Sequence, residues 1–126
     1  MLGSKSIIGF VQTKNLARAK AFFGKKLGLR LVATDAVALV FASGGTMVRV
    51  VKVEDFSPAP YTILGWPVDD IGKTIAALKT RGAVFERYPR MEQDERGIWR
   101  APGGAHVAWF KDLDGNVLSI SQNTRV

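Results

Sequence analysis

Apolar positions alternate with polar ones over several short stretches of this chain and recur at helical spacing in two longer ones. Residues 6–13 show the first pattern, with Ile7, Ile8, Phe10 and Val11 as β-prone bulk, and predict a strand. Leu16, Ala19, Phe23 and Leu27 then recur at helical spacing behind Asn15, whose side chain suits a helix N-cap. Gly28 stands where a left-handed residue would end that helix. Strands are predicted at 29–34, 37–42 and 46–53, with Ser43-Gly44-Gly45 turning the chain between the last two. Residues 55–60, which include two prolines, read as a linker.

The pattern then restarts. Residues 61–68 predict a strand, and Asp69 or Asp70 can cap a helix carrying Ile71, Ile75 and Leu78 on one face. Gly82 stops it, a short strand is expected at 83–86, and 98–101 reads as extended. Pro102-Gly103-Gly104 turns the chain, and 105–111 with 116–122 form a closing hairpin. The two helices hold matching places about 55 residues apart, and their Gly-Gly turns correspond, as a duplicated βαβββ unit requires. One unit alone is small for a good core, so the chain is read as a single α+β domain over 1–126, with repeats at about 5–54 and 61–123. The polar stretch from Arg87 to Gly97 has no counterpart in the first half; it is either a lid or a solvated loop.

Composition narrows the field. Hydrophobic residues make up 47% of the 126, enough for a packed interior. The chain has no cysteine, which excludes disulfides and thiolate metal sites and suits a reducing cytoplasm. No apolar run approaches the roughly 20 residues of a membrane helix, and the first nine residues lack a signal-peptide core. These features predict a soluble, cytoplasmic protein with no membrane partner. Eighteen basic against 11 acidic residues give +7, which steers anionic partners inward. Lys5, Lys14, Arg18, Lys25, Arg30, Lys52, Lys79, Arg90 and Arg100 are scattered rather than clustered. With neither a basic recognition helix nor an aromatic-basic RNA motif, the sequence argues against a nucleic-acid partner.

Three stretches carry a family resemblance. Asn15-Leu16-Ala17-Arg18-Ala19-Lys20-Ala21-Phe22-Phe23, closed by Leu27-Gly28-Leu29, is similar to the opening helix of the glyoxalase / bleomycin-resistance / extradiol-dioxygenase (vicinal oxygen chelate) superfamily. Val68-Asp69-Asp70-Ile71 resembles the opening of its second half, and 107–116, ending Asp112-Leu113-Asp114-Gly115-Asn116, resembles its closing hairpin. The similarity spans nearly the whole chain. It implies two βαβββ modules whose strands curl into a cup, with helices outside, ligand inside, and usually a homodimer. Metal-dependent members draw two ligands from each half, a histidine or glutamine and a glutamate. The matching positions here are Ile8, Arg49, Ile63 and Ser119. Two isoleucines, an arginine and a serine make a poor set for a dication, so no metal and no other cofactor is expected.

The closing hairpin sets the register of the faces. Residues 112–115 suit a type I turn with Gly115 left-handed, which pairs Asp112 with Asn116 and Trp109 with Ser119. Phe110, Ala108, Leu118 and Ile120 then share an apolar face, and Val107, Trp109, Val117, Ser119 and Ser121 a mixed one. The expected cavity joins Ile8, Phe10, Ile63 and Trp109 to the polar Gln12, Arg49 and Ser119, with Trp99 able to stack on a flat ligand. Arg49, at mid-strand, must be paired or solvated; it either recognises a carboxylate or phosphate, or forms an internal ion pair. His106, the only histidine, falls on the Phe110 face and reads as structural.

The leading functional expectation is a binding protein for a small anionic or aromatic molecule, serving sequestration, resistance or sensing. A cationic drug such as bleomycin would be repelled by the positive charge. The alternative is a metal-independent lyase or isomerase in which Arg49 stabilises an enolate and Glu86, Glu92 or Asp94 acts as base. A lactoylglutathione lyase or dioxygenase-type enzyme with an unconventional metal site is the third reading.

Overall fold

A computed structural model describes residues 1–123, and the chain divides into two compact units, Met1–Ser57 and Pro58–Val126. Each is a βαβββ module with its own four-stranded mixed sheet, which makes the class α+β. In the first, β1 (Ile8–Thr13) is followed by a helix, β2 (Arg30–Thr34), β3 (Ala38–Ser43) and β4 (Thr46–Lys52). The strand order is β1-β4-β3-β2, with β1 parallel to β4 and the other pairs antiparallel. The second module repeats this with β5 (Thr62–Pro67), helix α2 (Ile71–Thr80), β6 (Trp99–Arg100), β7 (His106–Lys111) and β8 (Val117–Gln122), in the order β5-β8-β7-β6.

The first helix begins as α1 (Leu16–Lys20), capped where Asn15 Oδ1 accepts the Arg18 N–H at 3.0 Å, and continues over Ala21–Lys26 as a π-helix. The wider turn, closed by the Leu27 N–H donating to Phe22 O, lets the adjacent Phe22 and Phe23 both face the sheet. Helical periodicity assigned only Phe23 to that face. Phe23 packs against Phe22 at 5.2 Å and Phe41 at 6.0 Å, over a floor of Val11, Leu39, Val48 and Val50. In the second module, Asp70 caps α2, and the Gln122 side chain accepts the Ile71 N–H at 2.8 Å. Ile71 and Ile75 are buried, as are Ala108, Phe110, Leu118 and Ile120 on the sheet, the face that the hairpin register predicted. Among the described residues no helix is long and apolar enough to cross a membrane.

The short strand expected at 83–86 does not form. Phe85 makes one antiparallel bridge to Phe110, and the Glu86 N–H donates to Trp109 O, before the chain leaves the sheet. It returns as β6, which pairs with His106 and Val107. The edge lane that β2 fills in the first module is therefore split in the second, and the insertion occupies the break.

Candidate functional site

Alternation in β1 divides its side chains cleanly. Val11 and Thr13 are buried on the helix side, and Ile8, Phe10 and Gln12 lie on the open face. The β1–β4 register sets Ile8 beside Met47, Phe10 beside Arg49 and Gln12 beside Val51, while Val40 flanks Arg49 from β3. Ile8 is 54% exposed and Phe10 64%, so this face is an apolar surface in water with one guanidinium at its middle.

That guanidinium meets Asp35 Oδ2 at 3.8 Å, with the two side chains 41% and 56% exposed. Arg49 is thus both ion-paired and solvated, through a single long contact. Asp35 does not depend on it, because its Oδ1 accepts the Val37 and Ala38 N–H groups at 2.8 and 2.9 Å. Those backbone hydrogen bonds, with the Arg49 charge a lesser cause, hold the Asp35 carboxyl below its ordinary range.

On the second module the mixed face holds Val107, Trp109, Val117, Ser119 and Ser121, with Trp109 opposite Ser119 as the turn predicted. The turn itself is fixed by buried Asp112, which accepts the Asp114 and Asn116 N–H groups and the Asn116 side-chain amide, while Gly115 takes φ +88°. Burial raises the Asp112 pKa despite those bonds. The Trp109 Nε1–H donates to Thr62 Oγ1 at 3.0 Å. Its ring lies 5.9 Å from Trp99 and 5.6 Å from Tyr88, the latter edge-on. Burial, and then the Glu86 charge, raise the Tyr88 pKa, so its hydroxyl stays protonated at neutral pH.

The strand registers fix two further neighbours. The register of β5 against β8 shifts between Thr62 and Leu64, so Ile63 falls in the irregularity and Gly65 is the residue beside Ser119. A Cβ on Gly65 would lie 2.8 Å from Ser119 Oγ, so the hydroxyl occupies the space a larger residue would need. In the first module the β1–β4 register is regular and sets Phe10 beside Arg49. The β5 irregularity leaves no mark on the hydrophobic pattern, so the sequence does not show it.

The insertion is tied down. Gln93 accepts the Tyr88 N–H at 2.7 Å through its side-chain oxygen and donates from its amide nitrogen to Glu86 O and Gly97 O. Asp94 Oδ1 accepts the Arg96 and Ile98 N–H groups. Burial alone would raise the Asp94 carboxyl, but those bonds and the Arg96 ion pair at 3.2 Å prevail and lower it. Arg96 also reaches over Gly72 of α2. The ordered loop walls a cleft of about 490 Å³ lined by Arg90, Met91, Gln93, Ile98, Trp99 and Arg100, together with Glu92 and Asp94.

The open faces do not fit the superfamily's usual metal. Around Arg49 and Ser119 stand Ile8, Phe10, Gly65 and Trp109, and the polar neighbours are an amide and hydroxyls. Among the described residues no three His, Cys, Asp or Glu side chains gather into a ligand set. Of the acid–base candidates, Glu86 pairs with Lys111 at 3.5 Å and Asp94 is built into its loop, while Glu92 is exposed on the wall of the cleft. His106 pairs across with Gln122 and shares the face of Ala108 and Phe110.

The sequence model described as the Glyoxalase/Bleomycin resistance protein/Dioxygenase superfamily matches residues 7–120. Among solved structures, the chain is similar to TnmS3, an antibiotic binding protein from Streptomyces sp. CB03234, with 24% identity, a TM-score of 0.75, and 98% and 99% of the two chains covered. It is also similar to a bleomycin resistance determinant encoded on the transposon Tn5 (20% identity, TM-score 0.71, 96% and 99% covered). A lactoylglutathione lyase from Agrobacterium tumefaciens matches at 16% identity and TM-score 0.72, with 94% and 93% covered. At these identities the likeness shows the fold. A comparison with curated protein sequences finds no match.

Proposed function

Since the chain belongs to the glyoxalase/bleomycin resistance protein/dioxygenase superfamily, we propose that it is a binding protein, without the family's metal, for a small aromatic molecule bearing an anionic group. The observation that carries this reading is the trio of Trp109, Trp99 and Tyr88 on the second module, with Trp109 fixed by Thr62. Fixed aromatic rings offer a flat ligand a large contact area at little entropic cost. Arg90 and Arg100 in the adjoining cleft supply cations, and none of the ion pairs among the described residues uses them. On the first module, Phe10 and Arg49 repeat the pairing of an apolar surface with a guanidinium. Two of the similar structures are an antibiotic binding protein and a bleomycin resistance determinant, which supports binding without turnover.

The same reading makes Trp99, Trp109 and Ser119 the contact residues on the second module, gives Ile8, Phe10, Gln12 and Arg49 that role on the first, each module taken by itself, and takes the protein as a cytoplasmic homodimer. Light scattering in solution tests the dimer. Titration calorimetry with 2-naphthoate and 2-naphthylmethylammonium, each with and without EDTA, tests the rest. The anion is expected to bind at least tenfold more tightly, unaffected by chelation, and to lose that margin in Arg100→Ala. Tighter binding of the cation, or binding abolished by EDTA, would overturn the proposal.

A further inference from the structure

The +7 formal charge is divided unevenly. Residues 1–57 carry nine basic and three acidic side chains, and residues 58–126 carry nine and eight. No acidic residue precedes Asp35, whereas seven lysines and arginines do. Four of these cations lie on the first helix, Lys26 half-buried over the Phe22 ring and the other three exposed. Ala19, Phe22 and Phe23 turn to the sheet, leaving Arg18, Lys20 and Lys25 exposed together with Ala17 and Ala21. None of the ion pairs among the described residues uses any of the three. Helix stability does not account for them all. The first turn has no acid, and Arg18 lies within a turn of the Asn15 cap, where the positive end of the helix disfavours a cation.

We propose that this helix face binds the phosphodiester backbone of a nucleic acid, without reading its sequence. The chemistry of the face excludes the other large anionic partners. A protein interface needs buried aromatic or aliphatic anchors, and a membrane-surface helix needs apolar side chains to insert. The exposed side offers only cations and two alanines. Phosphate contacts need charge and close approach and nothing more. The missing recognition helix and RNA motif bear on base reading, which this contact does not require. The inference does not depend on the small-molecule reading.

Fluorescence anisotropy of a labelled 20-base-pair duplex with the full chain tests it. At about 0.1 M salt the dissociation constant is expected on the order of 10⁻⁴ to 10⁻⁶ M, as for non-specific binding. Three phosphate contacts predict a log–log salt slope of about −2.7, or roughly a fortyfold loss between 50 and 200 mM. Arg18→Glu/Lys20→Glu/Lys25→Glu should weaken binding more than tenfold. Lys73→Glu/Lys79→Glu/Arg81→Glu on α2, which changes the net charge equally, should weaken it less than threefold. The neutral glutamine triple variant of the first set guards against misfolding and should lose most of the affinity. Equal loss from both charge reversals, competition by polyglutamate as strong as by unlabelled duplex, or no binding by the native chain at 50 mM salt would overturn the proposal.

Discussion

The indole nitrogen of Trp109 and the hydroxyl of Thr62 are 3.0 Å apart and join β7 to β5, two strands that flank β8 without pairing to each other. The bond holds the ring at one height above the sheet, with Trp99 and Tyr88 beside it. Thr62→Val keeps the β-branched shape and removes the acceptor. Because the bond is exposed to solvent, its loss should cost only about 0.5–1 kcal/mol of stability. The larger effect should be on order: near-ultraviolet circular dichroism from the indoles should weaken, and 2-naphthoate should bind several-fold less tightly. An unchanged spectrum would mean that the neighbouring rings alone fix Trp109.

Gln93 should matter more to stability than an ordinary loop residue. Its side chain accepts from one backbone group and donates to two others, at 2.7, 3.0 and 2.8 Å, on both sides of the insertion. Gln93→Ala leaves those three part-buried groups without that partner, and about 2 kcal/mol should be lost. Gln93→Glu keeps the acceptor but turns a carboxylate oxygen onto the Glu86 and Gly97 carbonyl oxygens, so it should cost at least as much. Hydrogen exchange at the Tyr88 amide should accelerate in both variants while amides of β8 remain protected. Exchange that rises evenly across the second module would instead mark Gln93 as part of a global unfolding unit.

The elements that were legible in the sequence are those in which one residue type answers one backbone demand. Asn15 and Asp70 cap their helices, Gly28 and Gly115 take positive φ, and the 112–116 turn fixes the Trp109–Ser119 register. The faces of β1 and β4 followed from alternation once that was set. The π-turn was not legible, because Phe22 and Phe23 are as consistent with one buried ring as with two. The split edge lane was hidden for a different reason. Residues 83–86 have strand-like character, but the Ala83 N–H is taken by Leu78 O and the Glu86 carbonyl by Gln93, contacts that local propensity does not report. The cations of the first helix were visible one by one, but their common exposed face appears only when Phe22 turns inward.

Gly65 and Ser119 should show strong coupling. The added methyl of Gly65→Ala would sit 2.8 Å from Ser119 Oγ, too close unless the serine changes rotamer. Rotation of one short side chain is inexpensive, so the single variant should cost about 1 kcal/mol. In a Ser119→Ala background the same substitution should cost nothing measurable. A double-mutant cycle on denaturant stability reads the difference directly. Additive costs would show that the backbone of β8 at Ser119, rather than the hydroxyl, meets the methyl.

Acid should loosen the insertion before it unfolds the protein. The Asp94 carboxyl lies below its ordinary value of 3.8 in the folded state, because hydrogen bonds from Ile98 and Arg96 outweigh the opposing effect of burial. A lowered folded pKa means stabilisation that is complete above 3.8 and disappears as the pH falls through the folded value. Asp35 titrates with the same sign in the first module. Asp112 runs the other way: its pKa is raised by burial, so its contribution is complete below 3.8 and disappears as the pH rises through its folded value. The opposing signs blunt any global melting curve, and a local probe is needed. Trp99 lies one residue beyond Ile98, whose N–H Asp94 accepts at 3.0 Å, so indole emission should report the loop. Emission is expected to change as the pH falls below 3.8, before far-ultraviolet circular dichroism does. Asp94→Asn should remove the separate acid step while leaving the global transition in place. An early emission change that persists in Asp94→Asn would assign the acid step to a different carboxylate.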